Sequence, residues 1–152
     1  MYSLIIVIMS IALFAALLYA GSSYVKTDNY LIKSYKGTIE SSVTNLASQF
    51  IAYENLKGYT LQETNWESEL FSINRFTPKS LDNTIWSYNN DGSGIFFCMS
   101  GSINKNQYKA FKEAEESLNG KAFVNSNCGA NTSLNYAGNY PVSAAITFWI
   151  RN

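Results

Sequence analysis

The sequence predicts an α+β protein in which a long N-terminal helix packs, through its second half, on a C-terminal antiparallel sheet. Three observations predict this class. The first 25 residues carry no charge, an apolar stripe with helical spacing continues beyond them, and aromatic and β-branched runs bounded by Asn and Gly fill the later part. We therefore divide the chain into an apolar half-helix, residues 1–25, and a globular domain, residues 26–152.

The apolar half-helix has the length of a membrane span, because about 20 apolar residues cross the hydrocarbon core of a bilayer. A secretory signal peptide is the alternative. Residues 20–22 (Ala-Gly-Ser) would suit its cleavage, but residues 1–3 supply no positive charge before the apolar run. The nearest lysines all follow the segment, which by the positive-inside rule would leave the domain in the cytoplasm. We expect that a basic leader preceded Met1 and was removed by processing.

The apolar stripe predicts one continuous helix over about residues 2–56. At 1.5 Å per residue such a helix is about 80 Å long, so its first half must project from a domain of this size. Gly58 follows the last apolar position and is typical of a helix end. The stripe consists of Tyr24, Leu31, Tyr35, Ile39, Val43, Leu46, Phe50 and Tyr53.

The middle of the chain predicts a hairpin after an irregular stretch. "NWESELFSINRF" (residues 65–76) predicts either a short helical turn or a packed loop. "TIWSY" (residues 84–88) and "IFFCMSG" (residues 95–101) flank "NNDGSG", which is typical of a β-hairpin. We expect the tryptophans to be core residues: Trp66, Trp86 and Trp149.

The last third predicts a second helix over about residues 104–118, with Asn104 as its N-cap and Gly120 at its end. "KAFVNSNC" predicts a short strand over residues 121–128, and "VSAAITFWI" predicts a final strand over residues 142–150. With the hairpin, these strands give an antiparallel sheet of three to five strands. Its inner face would pack on the stripe of the long helix.

The two cysteines, Cys98 and Cys128, are 30 positions apart. In an exported domain an even number of cysteines is typical of a disulfide, which here would bound a loop containing the second helix. The alternative is two free, buried thiols. Because the chain has no histidine and two cysteines alone make a poor metal site, we expect neither a metal nor a cofactor.

The composition argues against an enzyme and against a nucleic-acid-binding protein. Without histidine there is no His-dependent triad, and no G-x-S-x-G motif or Gly-rich phosphate loop occurs. The net charge is zero and no block of Lys and Arg is present, so direct binding of nucleic acid through phosphates is not expected. "NNDGSG" lacks the carboxylates of a calcium loop.

The charges are unevenly spread along the chain. Residues 59–97 carry five acids against Arg75 and Lys79, a net charge of −3, and residues 98–152 carry five cations against three acids, a net charge of +2. The plain interpretation is scatter over a solvated surface. The alternative is that the two regions face each other between copies of the chain, where complementary potential sets the register.

Taken together, these features resemble a type IV pilin, and most closely the type IVb class that includes the pilins of conjugative thin pili. The features are Met1 opening a charge-free helix, the amphipathic continuation, the C-terminal antiparallel sheet and the late cysteine pair. The resemblance is architectural over the whole chain and extends to sequence in about the first 25 residues. It implies a structural filament subunit that waits in the bacterial inner membrane and then forms an extracellular pilus.

The resemblance also implies the partners and the site residues. The partners would be a prepilin peptidase, the pilus assembly machinery and other copies of the chain in a helical homopolymer. Met1 would be the processed N-terminus, which is often N-methylated in this family. The core of the filament would be packed by Leu4, Ile8, Ile11, Phe14 and Leu18.

One position departs from the family pattern. The family usually has Glu at position 5, where it is thought to pair with the N-terminal amine of a neighbouring subunit, and this chain has Ile5. The substitution removes a device that sets the register between subunits. It keeps open an alternative function, a non-polymerising, membrane-anchored pseudopilin or minor pilin that acts as an assembly or binding factor.

Overall fold

The computed structural model describes residues 7, 9–16, 27–74, 76–90, 92 and 94–151. Its helices are α1 (Thr27–Lys57), α2 (Trp66–Asn74) and α3 (Lys105–Ser117), and its strands are β1 (Thr84–Asn90), β2 (Ile95–Ile103), β3 (Ala122–Asn125) and β4 (Val142–Arg151). Residues 9–16 are also helical. The chain separates into two compact units, Met1–Leu31 and Ile32–Asn152. The α+β class is as predicted, a long helix followed by an antiparallel sheet.

Helix α1 ends at Lys57, one residue beyond the predicted end of the long helix. The following Gly58 has a φ of 74°, and its N–H donates to the carbonyl of Glu54 at 2.8 Å. A left-handed glycine just past the last turn is a common way to end a helix. The predicted continuity of this helix from residue 2 depends on residues 17–26, which lie outside the described residues.

The apolar stripe of α1 is buried, as its spacing predicted. Leu31 and Tyr35 are half-buried, Tyr24 lies outside the described residues, and the other members of the stripe are buried. Ser42 and Gln49 are buried as well, which an apolar pattern does not indicate. The Ser42 hydroxyl donates to the carbonyl of Lys79 at 3.0 Å, so the loop before β1 is fixed against the helix.

The sheet has four strands in the order β1-β2-β4-β3, all antiparallel. Its inner face is aromatic: Tyr88 lies opposite Phe97, which lies opposite Phe148. Phe50 of α1 meets the Phe97 ring edge-on at 6.3 Å and the Tyr88 ring at 6.1 Å between centroids. Burial raises the pKa of Tyr88 well above its ordinary value, and the Glu54 and Glu63 carboxylates raise it further. The helix and the inner face therefore share one core.

Two further sequence predictions, on residues 65–76 and residues 121–128, can be compared with the structure. Residues 66–74 form α2 rather than a loop. The prediction of a strand over residues 121–128 is wrong beyond Asn125, where β3 ends. The Asn125 side chain accepts from the Ser126 N–H at 2.7 Å and donates to the carbonyl of Thr132 at 3.0 Å. Such local bonds offer the backbone an alternative to the sheet ladder. The chain turns away from the sheet at this point.

Helix α3 begins at the predicted N-cap. The Asn104 side chain accepts from the N–H groups of Asn106 and Gln107, and the Gln107 side chain accepts from the Asn104 N–H at 2.8 Å. This capping box satisfies backbone donors that have no partner within the helix. At the other end Asn119 and Gly120 both have positive φ, 43° and 78°, as the predicted stop requires.

We expect opposite effects from alanine at two glycines. A Cβ at Gly101 would lie 2.0 Å from the carbonyl oxygen of Asn83, whereas a Cβ at Gly37 on α1 would meet nothing within 4 Å. Gly101→Ala should lower the free energy of unfolding by about 1–3 kcal/mol through overpacking. Gly37→Ala should raise it by about 0.5–1 kcal/mol through helix propensity. Urea unfolding of the full chain, followed by circular dichroism, measures both, and equal effects would contradict the close approach at Gly101.

Candidate assembly surface

The described part of the predicted filament core is an exposed apolar helix. Residues 9–16 are helical and all of them are exposed, with Ile11 65% and Phe14 68% accessible. Val7, Met9 and Leu13 are exposed to a similar degree. The other predicted core and processing residues, Met1, Leu4, Ile8 and Leu18, lie outside the described residues.

An exposed surface that is apolar except for Ser10 is more stable when something other than water covers it. Both lipid and other protein chains can provide it. Among the helices of the described ranges, none is long and apolar enough to cross a membrane. The predicted span, residues 1–25, lies mostly outside those ranges.

The predicted disulfide between Cys98 and Cys128 is present. Cys98 is fully buried in β2, and Cys128 is exposed in the loop that follows β3. The bond therefore joins the centre of the sheet to a surface loop, residues 126–131, which we call the strap. The free-thiol alternative is excluded, since no cysteine is unpaired.

The strap lies on the outer face of the sheet, opposite α1. The Gly129 N–H donates to the Thr147 hydroxyl at 3.0 Å, and the Trp149 indole N–H donates to the carbonyl of Ala130 at 3.2 Å. Gly129 has a φ of 83°, and a Cβ there would lie 3.1 Å from the Phe96 ring. A glycine therefore lets the strap approach the sheet closely.

Beneath the strap is a second, smaller apolar cluster. It contains Phe96, Cys98, Ala145 and Trp149, with Phe123 packed against it. The Phe96 and Trp149 rings are 4.8 Å apart. Trp149 is buried, as the sequence predicted, but the sequence pattern did not predict this second cluster. The available signal was the run Ile95–Met99, in which every residue is apolar, because a continuous apolar run indicates a strand covered on both faces. All five residues are buried.

Glu115 of α3 protects the β3 edge of the sheet. Its carboxylate accepts the Val124 N–H of edge strand β3 at 2.7 Å, and it also accepts from the Ser133 hydroxyl and the Lys112 ammonium. Unpaired N–H groups on an edge strand invite pairing with another chain. A carboxylate that occupies one of them reduces this risk, and nothing in the sequence pattern marked Glu115 for the role.

An apolar cavity of about 190 Å³ lies at the end of the sheet where β4 begins. Its apolar walls come from Tyr108, Val124, Leu134, Tyr136, Val142 and Ala144, and Asn125, Ser126 and Ser143 complete the lining. The Tyr108 hydroxyl accepts from the Tyr136 N–H at 2.7 Å and donates to the carbonyl of Leu134 at 2.9 Å. These two bonds fix the loop that forms the wall of the cavity.

The two apolar features described above are the exposed helix of residues 9–16 and the cavity at the beginning of β4. Within the described ranges, no group of three or more His, Cys, Asp or Glu side chains comes together to hold a metal ion. Comparison of the chain with protein-family models, with curated proteins and with solved structures finds no match. The absence of enzymatic activity stays a prediction.

Removal of the disulfide should destabilise the chain strongly. Cys98→Ala with Cys128→Ser opens a loop of about 31 residues, which on the chain-entropy model costs about 3–4 kcal/mol of unfolding free energy. Urea unfolding measures the loss, and Ser126→Ala in the same strap is the matched control, expected within about 0.5 kcal/mol of the parent. Mass spectrometry of the native chain should find no thiol to alkylate. Two alkylated thiols would contradict the bond.

Removal of the apolar segment should leave a well-behaved domain. Residues 26–152, produced in an oxidising compartment, should be soluble, folded and monomeric, because the stripe of α1 is buried against the sheet. The full chain, with residues 9–16 exposed, should need detergent. Size-exclusion chromatography with light scattering compares the two. An aggregating fragment beside a full chain that is monodisperse without detergent would be the opposite of the expected result.

Proposed function

We propose that the chain is a structural subunit of an extracellular filament of the type IV pilus kind, held in a bacterial inner membrane before assembly. The observation that carries the proposal is the exposed apolar helix of residues 9–16 on a chain that also has a compact unit, Ile32–Asn152. Such a segment can be surrounded by lipid first and by copies of itself later. Both surroundings lack water, and a helix satisfies its backbone groups internally in either.

The folded unit supports the same proposal. A long amphipathic helix lies on one face of an antiparallel sheet, and a disulfide bounds a late region that contains a helix. This is the architecture expected of a type IVb pilin. In this function the active surface is the assembly surface, the partners are other copies and the export machinery, and no chemistry is required of the chain.

The alternative is a membrane-anchored pseudopilin or minor pilin that does not polymerise. The observation that favours it is Ile5 at the position where type IV pilins usually have Glu. An anchor and a filament core make different demands on the apolar segment. An anchor needs hydrophobicity alone, whereas a filament core also needs side chains of the right volume in contact with neighbouring helices.

A pair of substitutions separates the two functions. Ile11→Ala with Phe14→Ala leaves the segment apolar enough to enter a membrane, but removes about 2–5 kcal/mol per site from a tightly packed core. The loss is repeated in every subunit, so the yield of sheared surface filaments should fall below detection by electron microscopy. The amount of subunit in the membrane fraction should stay unchanged.

The matched control keeps the volume of the segment. Ile11→Leu with Phe14→Met should leave filaments close to the parent level, since swaps that conserve volume usually cost under about 1.5 kcal/mol. Normal filament yield from the double alanine variant would count against a closely packed core. A parent chain that forms no filaments, yet accumulates in the membrane, would favour the anchored alternative.

A further inference from the structure

Two dissimilar surface features lie at opposite ends of the sheet. The apolar cavity is at the beginning of β4, where Val142 and Ala144 line it. At the other end of β4, the Arg151 guanidinium binds both carboxylate oxygens of Glu54, at 3.1 and 2.6 Å, and so places the end of α1 there. Strand β4 has 10 residues, so the two ends are about 30 Å apart.

The end opposite the cavity carries exposed apolar side chains. Leu56 is 67% and Tyr59 is 53% accessible, and Tyr59 is supported from behind by the ring of Tyr53 at 5.8 Å. We call these two residues the knob. An apolar cavity of about 150 Å³ can hold a benzene molecule, so the cavity of about 190 Å³ has room for one side chain of the knob.

The charges around the two features are complementary on balance, because two acids follow the knob in the chain and only one exposed cation, Lys57, lies between its two residues. Lys105 and Lys109 are exposed and lie within one helical turn of Tyr108, which lines the cavity. The third lysine of this helix, Lys112, is paired with Glu115. Glu63 and Glu67 are exposed in the segment that follows the knob, and Glu63 is held at the hairpin end by the Asn90 N–H at 2.6 Å.

We propose that the knob of one copy inserts into the cavity of the next copy, with Glu63 and Glu67 facing Lys105 and Lys109. Because the two surfaces are different and lie at opposite ends of the sheet, the contact is head-to-tail and repeats without closing on a pair. This inference rests on the proposed function. It adds the surface by which the folded units contact each other. The contact is small, and tethering along a shared apolar core raises the effective concentration at which it forms.

Cross-linking with single cysteines tests the contact in the full chain. Both native cysteines are in the disulfide, so new thiols react alone. One variant carries Leu56→Cys in the knob, and a second carries Leu134→Cys at the cavity, where Leu134 is 47% accessible. Cells that produce both variants are sheared, and the filament fraction is treated with a short bis-maleimide. The expected product is a mixed dimer joined through positions 56 and 134, identified by peptide mass spectrometry.

Charge reversal tests which end of each chain takes part in the contact. Lys105→Glu with Lys109→Glu, placed in the chain that carries Leu134→Cys, should lower the mixed-dimer yield about tenfold or more, since like charges then face each other. Glu63→Lys with Glu67→Lys in the Leu56→Cys chain should restore it. The matched control places the lysine reversal in the Leu56→Cys chain instead, where it should leave the yield unchanged. Circular dichroism shows whether each variant is folded.

The outcomes distinguish failure of the knob–cavity contact from failure of the proposed filament function. Filaments that give the mixed dimer support both the contact and the function. Filaments that give no product between positions 56 and 134, or mainly one between two copies of position 56, overturn the contact and leave the filament standing. Where electron microscopy finds no filaments, the proposed function fails. The same cross-linking of the purified full chain in concentrated detergent solution then decides the contact alone: the mixed dimer supports it, and its absence overturns it.

Discussion

The constraint on which the structure depends is that the four-stranded sheet carries apolar side chains on both faces, a large core on the inner face and a small cluster on the outer face. Helix α1 covers the inner face, with Phe50 against Phe97 and Tyr88. With α1 there, the outer face needs another cover, and the strap provides it over Phe96 and Trp149. A short loop rich in polar residues buries too little apolar surface to stay in place unaided. The Cys98–Cys128 bond compensates by limiting the freedom of the unfolded chain.

Much of this fold follows from patterns that act locally. The stripe of α1, the N-cap at Asn104 and the pairing of β1 with β2 each depend on near neighbours, and each is found where the sequence predicted it. The end of β3 was not predictable in the same way. "KAFVNSNC" looks like one strand up to Cys128, but the Asn125 side chain bonds to nearby backbone and ends the ladder there. Its partner Thr132 is seven positions away, and only the folded loop brings it close.

The surface features of the folded unit were harder to predict from the sequence than its core. The cysteine pair could be predicted because oxidised cysteines in an exported domain have one usual fate. The cavity could not, because its walls come from α3, β3, β4 and the loop at residues 134–136. The role of Glu115 was hidden for the same reason, since its three hydrogen-bonding partners lie on α3, β3 and a loop. The sequence showed the uneven spread of charge along the chain, but it did not show where on the folded unit these charged residues lie.

In a filament built from this chain, cohesion and register must come from different parts of the molecule. Burial of apolar side chains such as Ile11 and Phe14 is strongly favourable, yet it has no preferred direction along a helix. Charged or polar pairs are what fix one register against its neighbours. With Ile5, the first five residues hold no carboxylate to act in this way. In the proposed filament the folded units would then set the register, through the knob with its glutamates at one end of the sheet and the cavity with its lysines at the other. A smooth apolar core then becomes an advantage during assembly, because subunits can slide until the folded units engage.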